Sequence, residues 1–295
     1  MFTVVIPLYN KEKSIVGSVQ SVLNQSYPDF ELLIVNDGST DKSLSVVSGI
    51  NDQRIKVINK SNGGVSSARN MGIQQASRPY IAFLDGDDQW ASDFLTTIKG
   101  LIENFPKASV YATGWAFKQG ESIISKKIDI EREGIIDSYF KLSLNGTILS
   151  SSSTCIKKSV FDEIAPFNEN LTHGEDLDLW ERLAQKFAIA IHPEIKAYYM
   201  RDAENRALNR VPPTYKSIVD YINPGTIKDK YQREYYRRYI YNNVYAFARG
   251  RQLKRARGLA IKYKGFVKAH HYLYYFFIMT FNSYLINKRE LKKEQ

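Results

Sequence analysis

The sequence has a single cysteine, Cys155, among its 295 residues. One cysteine cannot form an intramolecular disulfide or a multi-cysteine zinc site, and such scarcity suits a reducing compartment. The four histidines show no H-E-x-x-H spacing, which argues against a zinc protease. The sequence has no apolar window of about 18 residues, so no segment predicts a membrane span. No basic stretch precedes an apolar one at the N-terminus, so no signal peptide is predicted.

Two common nucleotide-binding motifs are also missing from the sequence. No G-x-G-x-x-G follows the first predicted strand, and no G-x-x-x-x-G-K-[ST] occurs. The sequence therefore predicts neither a dinucleotide site of the Rossmann type nor a P-loop.

Charge is distributed very unevenly along the chain. Residues 1–227 carry 24 Lys and Arg against 27 Asp and Glu, a net charge of −3. Residues 228–295 carry 17 against 4, a net charge of +13. The step near Pro224–Lys228 indicates two parts that meet different partners. The acidic body argues against a nucleic-acid enzyme, whose active face would be basic.

Apolar runs alternate with helical stretches in the first part of the chain. Four runs are compact, rich in β-branched or aromatic residues and bounded by turn formers; they are 2–8, 30–36, 54–59 and 80–85. Helical segments between them are Ser14 to Gln25, Asp41 to Ile50 and Val65 to Gln75, and a further strand is expected at 109–117. This alternation predicts an α/β fold with a mostly parallel sheet flanked by helices, whose ligands bind at the carboxyl ends of the strands.

Acidic residues follow two of these strands directly. Asp85-Gly86-Asp87-Asp88 comes after the run at 80–85, and clustered carboxylates suit Mg²⁺ or Mn²⁺. The alternative is a solvated turn, which Asp and Gly also favour. Asp37 follows the run at 30–36 and could accept hydrogen bonds from a nucleoside, or could form a turn or cap the next helix.

A third acidic pair, Glu175-Asp176, opens a predicted helix. Acids in a first turn are favoured by the helix dipole alone. A carboxylate there could also act as a general base towards an acceptor hydroxyl, and the spacing does not choose between the two. His173 beside the pair either contacts the acceptor or has no role, whereas Trp180 is predicted to be core.

Five motifs in a fixed order carry a family resemblance: PLYN, VNDGSTD, NGGVSSARNMG, FLDGDDQW and HGEDLDLWERL. Over about residues 1–200 the chain resembles the family 2 glycosyltransferases, whose nucleotide-sugar-binding domain has the Rossmann-like GT-A fold. The resemblance implies a nucleotide-sugar donor, an Mn²⁺ or Mg²⁺ cofactor, and inversion at the anomeric carbon.

The resemblance also implies roles for individual residues. On the donor side it places Pro7, Tyr9 and Glu12 around the nucleotide base, Asp37 on the uracil ring, and Arg69 near the base and diphosphate. It places Asp85 near the ribose and the metal ion, Asp87 on the metal ion, and Asp88 as a further candidate ligand. On the acceptor side it implies that Asp176 is the catalytic base and that Glu175 binds the acceptor.

The chain departs from the family pattern in several places. Asn36 stands where relatives carry the first acid of D-D-G-S-x-D, and Tyr199-Met200-Arg201-Asp202 stands where they often carry Tyr-Arg-x-His. If that histidine normally contacts the metal or diphosphate, Asp202 or Arg201 would have to supply the contact. The Q-x-x-R-W signature of processive synthases is missing, which favours transfer of a single sugar.

The tail requires a separate explanation. We assign residues 1–215 to the GT-A domain and residues 216–295 to a basic, Tyr-rich helical extension. Its apolar stretch at 272–281 is too short to span a bilayer comfortably, and its tyrosines suit an interface. Binding to an anionic membrane surface is favoured, ahead of homo-oligomerisation and well ahead of nucleic-acid binding.

Together these observations predict a cytoplasmic enzyme, peripheral on the inner face of the membrane. It would add one sugar, from a UDP-sugar, to a glycan such as a lipid-linked bacterial surface polysaccharide. The alternative is a catalytically silent nucleotide-sugar-binding or glycan-binding subunit of a glycan assembly complex. Intact acidic residues in both motifs favour the enzyme.

Overall fold

The computed structural model describes residues 1–125, 130–204, 216–250 and 252–267. The chain divides into two compact units, Met1–Tyr215 and Lys216–Gln295. Each unit is described by itself.

The N-terminal unit is built on one large sheet flanked by helices. Its strands are β1 (Phe2–Leu8), β2 (Phe30–Asp37), β3 (Ile55–Lys60), β4 (Tyr80–Phe83), β5 (Gln89–Trp90), β6 (Val110–Gln119), β7 (Ser122–Ser125), β8 (Gly134–Ile135), β9 (Thr154–Lys157) and β10 (Ile189–Met200). Its helices are α1 (Ile15–Leu23), α2 (Ser43–Ser48), α3 (Val65–Gln75), α4 (Phe94–Asn104), α5 (Tyr139–Ser143) and α6 (Glu175–Lys186).

The strand order is β3-β2-β1-β4-β9-β6-β10-β5, with β7 and β8 paired at the sides of β6 and β10. Strands β1 to β4 are mutually parallel, β6 and β10 run in the same direction, and β9 and β5 are antiparallel to their neighbours. The predicted α/β fold with a mostly parallel sheet is therefore confirmed. The carboxyl ends of β1 to β4 lie along one edge, where the predicted site residues follow the strands.

Burial explains why the central strands could be predicted from the sequence. Every residue of β1 is buried, including Thr3. A parallel strand covered on both faces is apolar almost throughout, as the run 2–8 is. Trp180 is fully buried, as predicted, and Cys155 lies fully buried in β9, where burial raises the pKa of its thiol.

Two glycines determine where α3 lies. Gly64 precedes the helix with φ +88°, a left-handed conformation that favours glycine. Gly72 faces β1, and a Cβ on it would overlap the side chain of Val5. The helix therefore lies directly against the strand, and Arg69 sits one turn before the point of closest approach.

The C-terminal unit is helical, as expected, in its described part. It contains α7 (Lys230–Arg249) and α8 (Leu253–Lys262). The Tyr263 hydroxyl donates to the Val219 carbonyl at 2.6 Å, so the end of α8 is tied to the short turn before α7. The aromatic stretch 272–281 lies outside the described residues. Among those that are described, no helix combines the length and apolar character that crossing a bilayer requires.

Candidate active site

A pocket of about 430 Å³ lies at the carboxyl ends of β1 to β4 and β10. Its wall is formed by the ends of β1, β2 and β10, the loops after β1, β3 and β4, the start of α3 and the segment that leads into α6. The structure brings most of the predicted site residues to this wall; they are Pro7, Tyr9, Asp37, Arg69, Asp85, Asp87 and Glu175. Residues that are remote in sequence thus share one cavity.

Asp37 holds the loop between β3 and α3. Its buried carboxylate accepts hydrogen bonds from Lys60 Nζ at 2.6 Å, from the Gly63 N–H at 2.9 Å and from the Gly64 N–H at 2.8 Å. The Asn62 amide closes the loop by donating to the Asp37 carbonyl at 2.9 Å. A carboxylate has about four acceptor positions, so most of those on Asp37 are used within the protein. Asp37 therefore shapes the pocket as well as lining it.

Asp85 and Asp87 decide whether a divalent ion fits the pocket. Each gives one carboxylate oxygen to a cation, Asp85 Oδ1 to Arg69 Nη2 at 2.6 Å and Asp87 Oδ2 to Lys11 Nζ at 2.5 Å. Mg²⁺ and Mn²⁺ take one or two carboxylates and complete their coordination with phosphate oxygens and water. The donor set of the pocket, two carboxylates on its wall, is thus of the kind that would hold such an ion together with phosphate oxygens. The described residues contain no cluster of three or more His, Cys, Asp or Glu that could hold an ion by itself.

Burial also affects the acidity of Asp87. Removal from water raises the pKa of Asp87, the Lys11 ammonium opposes this, and the Asp85 carboxylate reinforces it. A cation brought next to this carboxylate would therefore favour its charged form.

Asp88 points away from the pocket into the protein. Its carboxylate accepts from Ser152 Oγ at 2.6 Å and from the Met200 N–H at 3.2 Å. The Ser152 hydroxyl in turn accepts from the Asp85 N–H at 3.1 Å. Burial, with the Asp87 and Asp85 carboxylates, raises the pKa of Asp88 well above its usual value. The expectation that Asp88 is a further metal ligand does not fit this position, because Asp88 supports the loop from below.

The two acids of α6 differ in their surroundings. Glu175 lines the pocket and accepts from Arg69 Nη1 at 3.0 Å. Asp176 lies behind it, and burial raises the pKa of Asp176 to about 7, with the Glu175 carboxylate acting in the same direction and Arg69 opposing both. The residue as a whole still keeps some accessible surface. A carboxyl group with this pKa can accept a proton near neutral pH.

Besides Asp88 and Asp176, three further candidate residues lie outside the pocket wall. Glu12 turns towards α2, where its carboxylate accepts from the Lys42 N–H at 2.9 Å. Asp202 accepts from the Gly120 N–H at 2.8 Å, and the Arg201 guanidinium lies over the ring of Phe117, 5.3 Å from its centroid. Neither Arg201 nor Asp202 lines the pocket, and both side chains have partners within the protein.

Sequence reasoning missed several residues of the wall, three of which have polar side chains that matter for a ligand. Lys11, Asn62 and Tyr199 all line the pocket. Lys11 and Asn62 stand in loops directly after predicted strands, which is the signal that could have identified them. Tyr199 belongs to the stretch that departs from the family pattern, so no motif pointed to it. His173, whose role the sequence left open, also lies on the wall.

The structure is similar to solved structures of S. aureus TarS. It matches S. aureus TarS 1–349 in complex with UDP-GlcNAc with a TM-score of 0.71 and 19% identity, over 95% of this chain and 88% of that one. At this level of identity the likeness shows the fold alone.

The sequence is similar to several bacterial glycosyltransferases. It is 34% identical over 194 residues to an uncharacterized glycosyltransferase of Rickettsia conorii, covering 63% of this chain but only 30% of the relative. It is 30% identical over 184 residues to the E. coli UDP-Glc:alpha-D-GlcNAc-diphosphoundecaprenol beta-1,3-glucosyltransferase WfgD, covering 61% of this chain and 68% of the relative.

A Campylobacter jejuni GalNAc(5)-diNAcBac-PP-undecaprenol beta-1,3-glucosyltransferase is 25% identical over 234 residues, 76% of this chain and 73% of the relative. The family model described as "Glycosyl transferase family 2" matches residues 3–165. That match spans more than half of the chain and contains Asp37, Arg69 and Asp85. The chain therefore belongs to glycosyl transferase family 2.

Proposed function

We propose that this chain is an inverting, metal-dependent glycosyltransferase that moves one sugar from a UDP-sugar to a hydroxyl of a glycan acceptor. The observation that carries the proposal is the arrangement of acids around one pocket. Asp85, Asp87 and Glu175 line it, and Asp176, the residue after Glu175, has a pKa of about 7. These are the groups that donor binding and proton removal need.

On the donor side, Pro7, Tyr9 and Asp37 would hold the nucleotide base, as the family pattern implies. Asp87 and Asp85 would hold Mn²⁺ or Mg²⁺, which when bound neutralises charge on the leaving diphosphate. The Lys11 ammonium lies against Asp87 at the same wall, so it adds positive charge where phosphates would lie.

On the acceptor side, Asp176 would take the proton from the attacking hydroxyl. The hydroxyl oxygen forms a bond to the anomeric carbon as the bond to the diphosphate oxygen breaks, and attack from the opposite face inverts the configuration. Glu175, directly on the pocket wall, is placed to bind the acceptor. The E. coli and Campylobacter relatives are named for transfer to undecaprenol-linked glycans, which supports a lipid-linked acceptor here.

The test is slow hydrolysis of UDP-sugars without acceptor, combined with thermal shift. UDP should raise the melting temperature more with Mn²⁺ than with EDTA. In the presence of Mn²⁺, GDP and dTDP should raise the melting temperature less than UDP does. UDP-glucose or UDP-GlcNAc should be hydrolysed by the wild type. The exposed-carboxylate variant Asp162→Asn is the matched control and should behave as the wild type. UDP binding without hydrolysis of any UDP-sugar would instead support a silent binding subunit.

For the C-terminal unit we propose attachment to an anionic membrane, which would make the enzyme a peripheral cytoplasmic protein. The support is the net charge of +13 in residues 228–295. Each Lys or Arg near an anionic surface contributes about 1 kcal/mol. Exposed Lys254 and Arg257 on α8 belong to this charge.

Vesicle sedimentation tests the attachment. The full chain should bind vesicles that contain anionic lipid, bind neutral vesicles weakly, and be released by raised salt. Lys254→Glu with Arg257→Glu should weaken binding more than Lys107→Glu with Lys157→Glu, which makes the same charge change at exposed sites of the N-terminal unit. Equal loss in the two pairs would contradict the proposal, and light scattering would then show whether the tail assembles oligomers.

A further inference from the structure

Arg69 is almost completely enclosed by the protein. Its side chain is 3% exposed, and the Phe167 ring lies 5.1 Å from its guanidinium carbon. A guanidinium carries five N–H donors, and here the two terminal nitrogens face two carboxylates. Little of the side chain is left at the surface of the pocket to meet a ligand.

The two carboxylates come from two different segments that line the pocket. Arg69 Nη2 donates to Asp85 Oδ1 at 2.6 Å, and Arg69 Nη1 donates to Glu175 Oε1 at 3.0 Å. Asp85 follows β4 on the donor side, and Glu175 is the first residue of α6 on the acceptor side. One buried fork therefore joins two segments that are far apart in the sequence. Charge-assisted bonds of this kind are among the strongest in proteins and fix direction as well as distance.

Asp176 adjoins this bridge. The charged groups that act on its carboxyl are Glu175 on its own helix, Arg69 on α3 and Asp85 after β4. Glu175 and Asp85 disfavour the charged form of Asp176, and Arg69 favours it. Burial disfavours the charged form as well, and its effect is the largest. Arg69 is thus the cation that opposes these three influences.

We propose that Arg69 is a positioning residue for the acceptor side: it anchors the start of α6 to the donor-side loop through Glu175 and Asp85, and thereby keeps Asp176 competent as a base. This inference rests on the proposed function for the role of Asp176. It assigns Arg69 to the support of the catalytic base Asp176. The family resemblance instead placed Arg69 near the nucleobase and diphosphate of the donor.

The geometry explains why the residue is arginine. A planar guanidinium can bond two carboxylates at once in fixed directions, whereas a lysine ammonium is a point charge on a flexible stem. Arg69→Lys would keep the positive charge and lose the double bridge. Arg69→Met would remove both.

The test measures the native pKa of Asp176 without substrate. Because this pKa is raised, the native state holds the Asp176 proton more tightly than the unfolded chain does. The carboxyl therefore destabilises the fold progressively as pH rises from its unfolded pKa to about 7, and the effect is constant above that. The free energy of unfolding is measured as a function of pH for a parent protein and for the same protein with Asp176→Asn added. With the wild type as the parent, the difference between the two should stop changing near pH 7.

Each parent variant should move this levelling point in a known direction. Arg69→Met should move it up by about 1 pH unit or more, the size expected for a neighbouring opposite charge. Glu175→Gln should move it down, because a like charge is removed. Arg69→Lys should move it less than Arg69→Met. Arg54→Met, which removes an arginine paired with Asp52 away from the pocket, is the control and should not move it.

The acid limb of UDP-glucose hydrolysis should move in the same directions. An unmoved levelling point in the Arg69 and Glu175 variants would overturn the inference. If Arg69→Met fails to fold, Arg69→Lys and Glu175→Gln still decide it. If the wild type hydrolyses no UDP-sugar, the proposed function fails, while the unfolding curves still show whether Arg69 controls Asp176.

Discussion

Asp87 and Asp176 are both acids whose pKa is raised by burial, yet their surroundings differ. Asp87 has the Lys11 ammonium at 2.5 Å and faces the pocket directly. Asp176 is not on the pocket wall. Arg69 favours the charged form of Asp176, but it donates its hydrogen bonds to Glu175 and Asp85. The Lys11 cation favours the charged form of Asp87, whereas a pKa of about 7 allows Asp176 to exchange a proton near neutral pH. Two aspartates, one after β4 and one in the first turn of α6, are therefore suited to two different roles, cation binding and proton transfer.

The largest effect should follow from removing the proton acceptor. Asp176→Asn should lower kcat by about 10²–10⁴, the range for general acid–base groups, and leave UDP binding nearly intact. Steady-state kinetics and UDP titration measure the two quantities. A variant that loses UDP binding would place Asp176 on the donor side and remove the contrast with Asp87.

Asp87→Asn should weaken the binding of UDP, which Asp176→Asn is expected to leave nearly intact. It should remove most of the extra stabilisation that Mn²⁺ gives to the UDP complex, since an amide is a poor substitute for an anionic ligand. A loss of about 10² in UDP affinity corresponds to about 2.7 kcal/mol of lost stabilisation. Thermal shift with Mn²⁺ or EDTA measures it.

Asp88→Asn is the matched control for that experiment. It changes the adjacent carboxylate, which faces Ser152 rather than the pocket. Equal effects of the two substitutions would show that the loop as a whole, and not Asp87, is responsible.

The pH dependence sharpens the contrast further. Asp176 acts as a base only when it is deprotonated, and its pKa is about 7. We therefore expect kcat to rise with pH, to reach half its maximum near pH 7, and to fall about tenfold per unit below that. A kcat profile that stays flat between pH 5 and about pH 8 would be incompatible with Asp176 as the base.

Ser152→Ala should have the smallest effect of the four. It leaves the buried Asp88 carboxyl and the Asp85 N–H without a shared partner, which should cost about 1–3 kcal/mol of unfolding free energy. Chemical denaturation measures it. Ser45→Ala, which removes an exposed hydroxyl from α2, should cost less and serves as the comparison.

The sequence could predict β1, β2 and β4 because almost all of their residues are buried and most of these are apolar. It could also predict that Asp37, Asp85 and Asp87 meet, because parallel strands bring their carboxyl ends to one edge. Side-chain direction within the loops was not predictable. Asp87 faces the pocket and Asp88 faces the interior, and nothing in the letters D-G-D-D distinguishes them.

Contacts between distant segments were equally hidden. The bridge from Arg69 to Glu175 joins residues 106 positions apart. Lys11 was passed over because a lysine after a strand has no motif of its own, and its partner Asp87 lies on another loop. Glu12, which the family pattern places at the base, instead bonds the backbone at the start of α2.

Gly72 has a consequence for mutational tolerance. It does not line the pocket, but α3 can lie against β1 only because residue 72 has no side chain to meet Val5. Any substitution there would push the helix outward and carry Arg69 with it, away from Asp85 and Glu175. In a saturation screen for activity, position 72 should therefore tolerate as few substitutions as an active-site residue, although Gly72 itself does not contact the pocket.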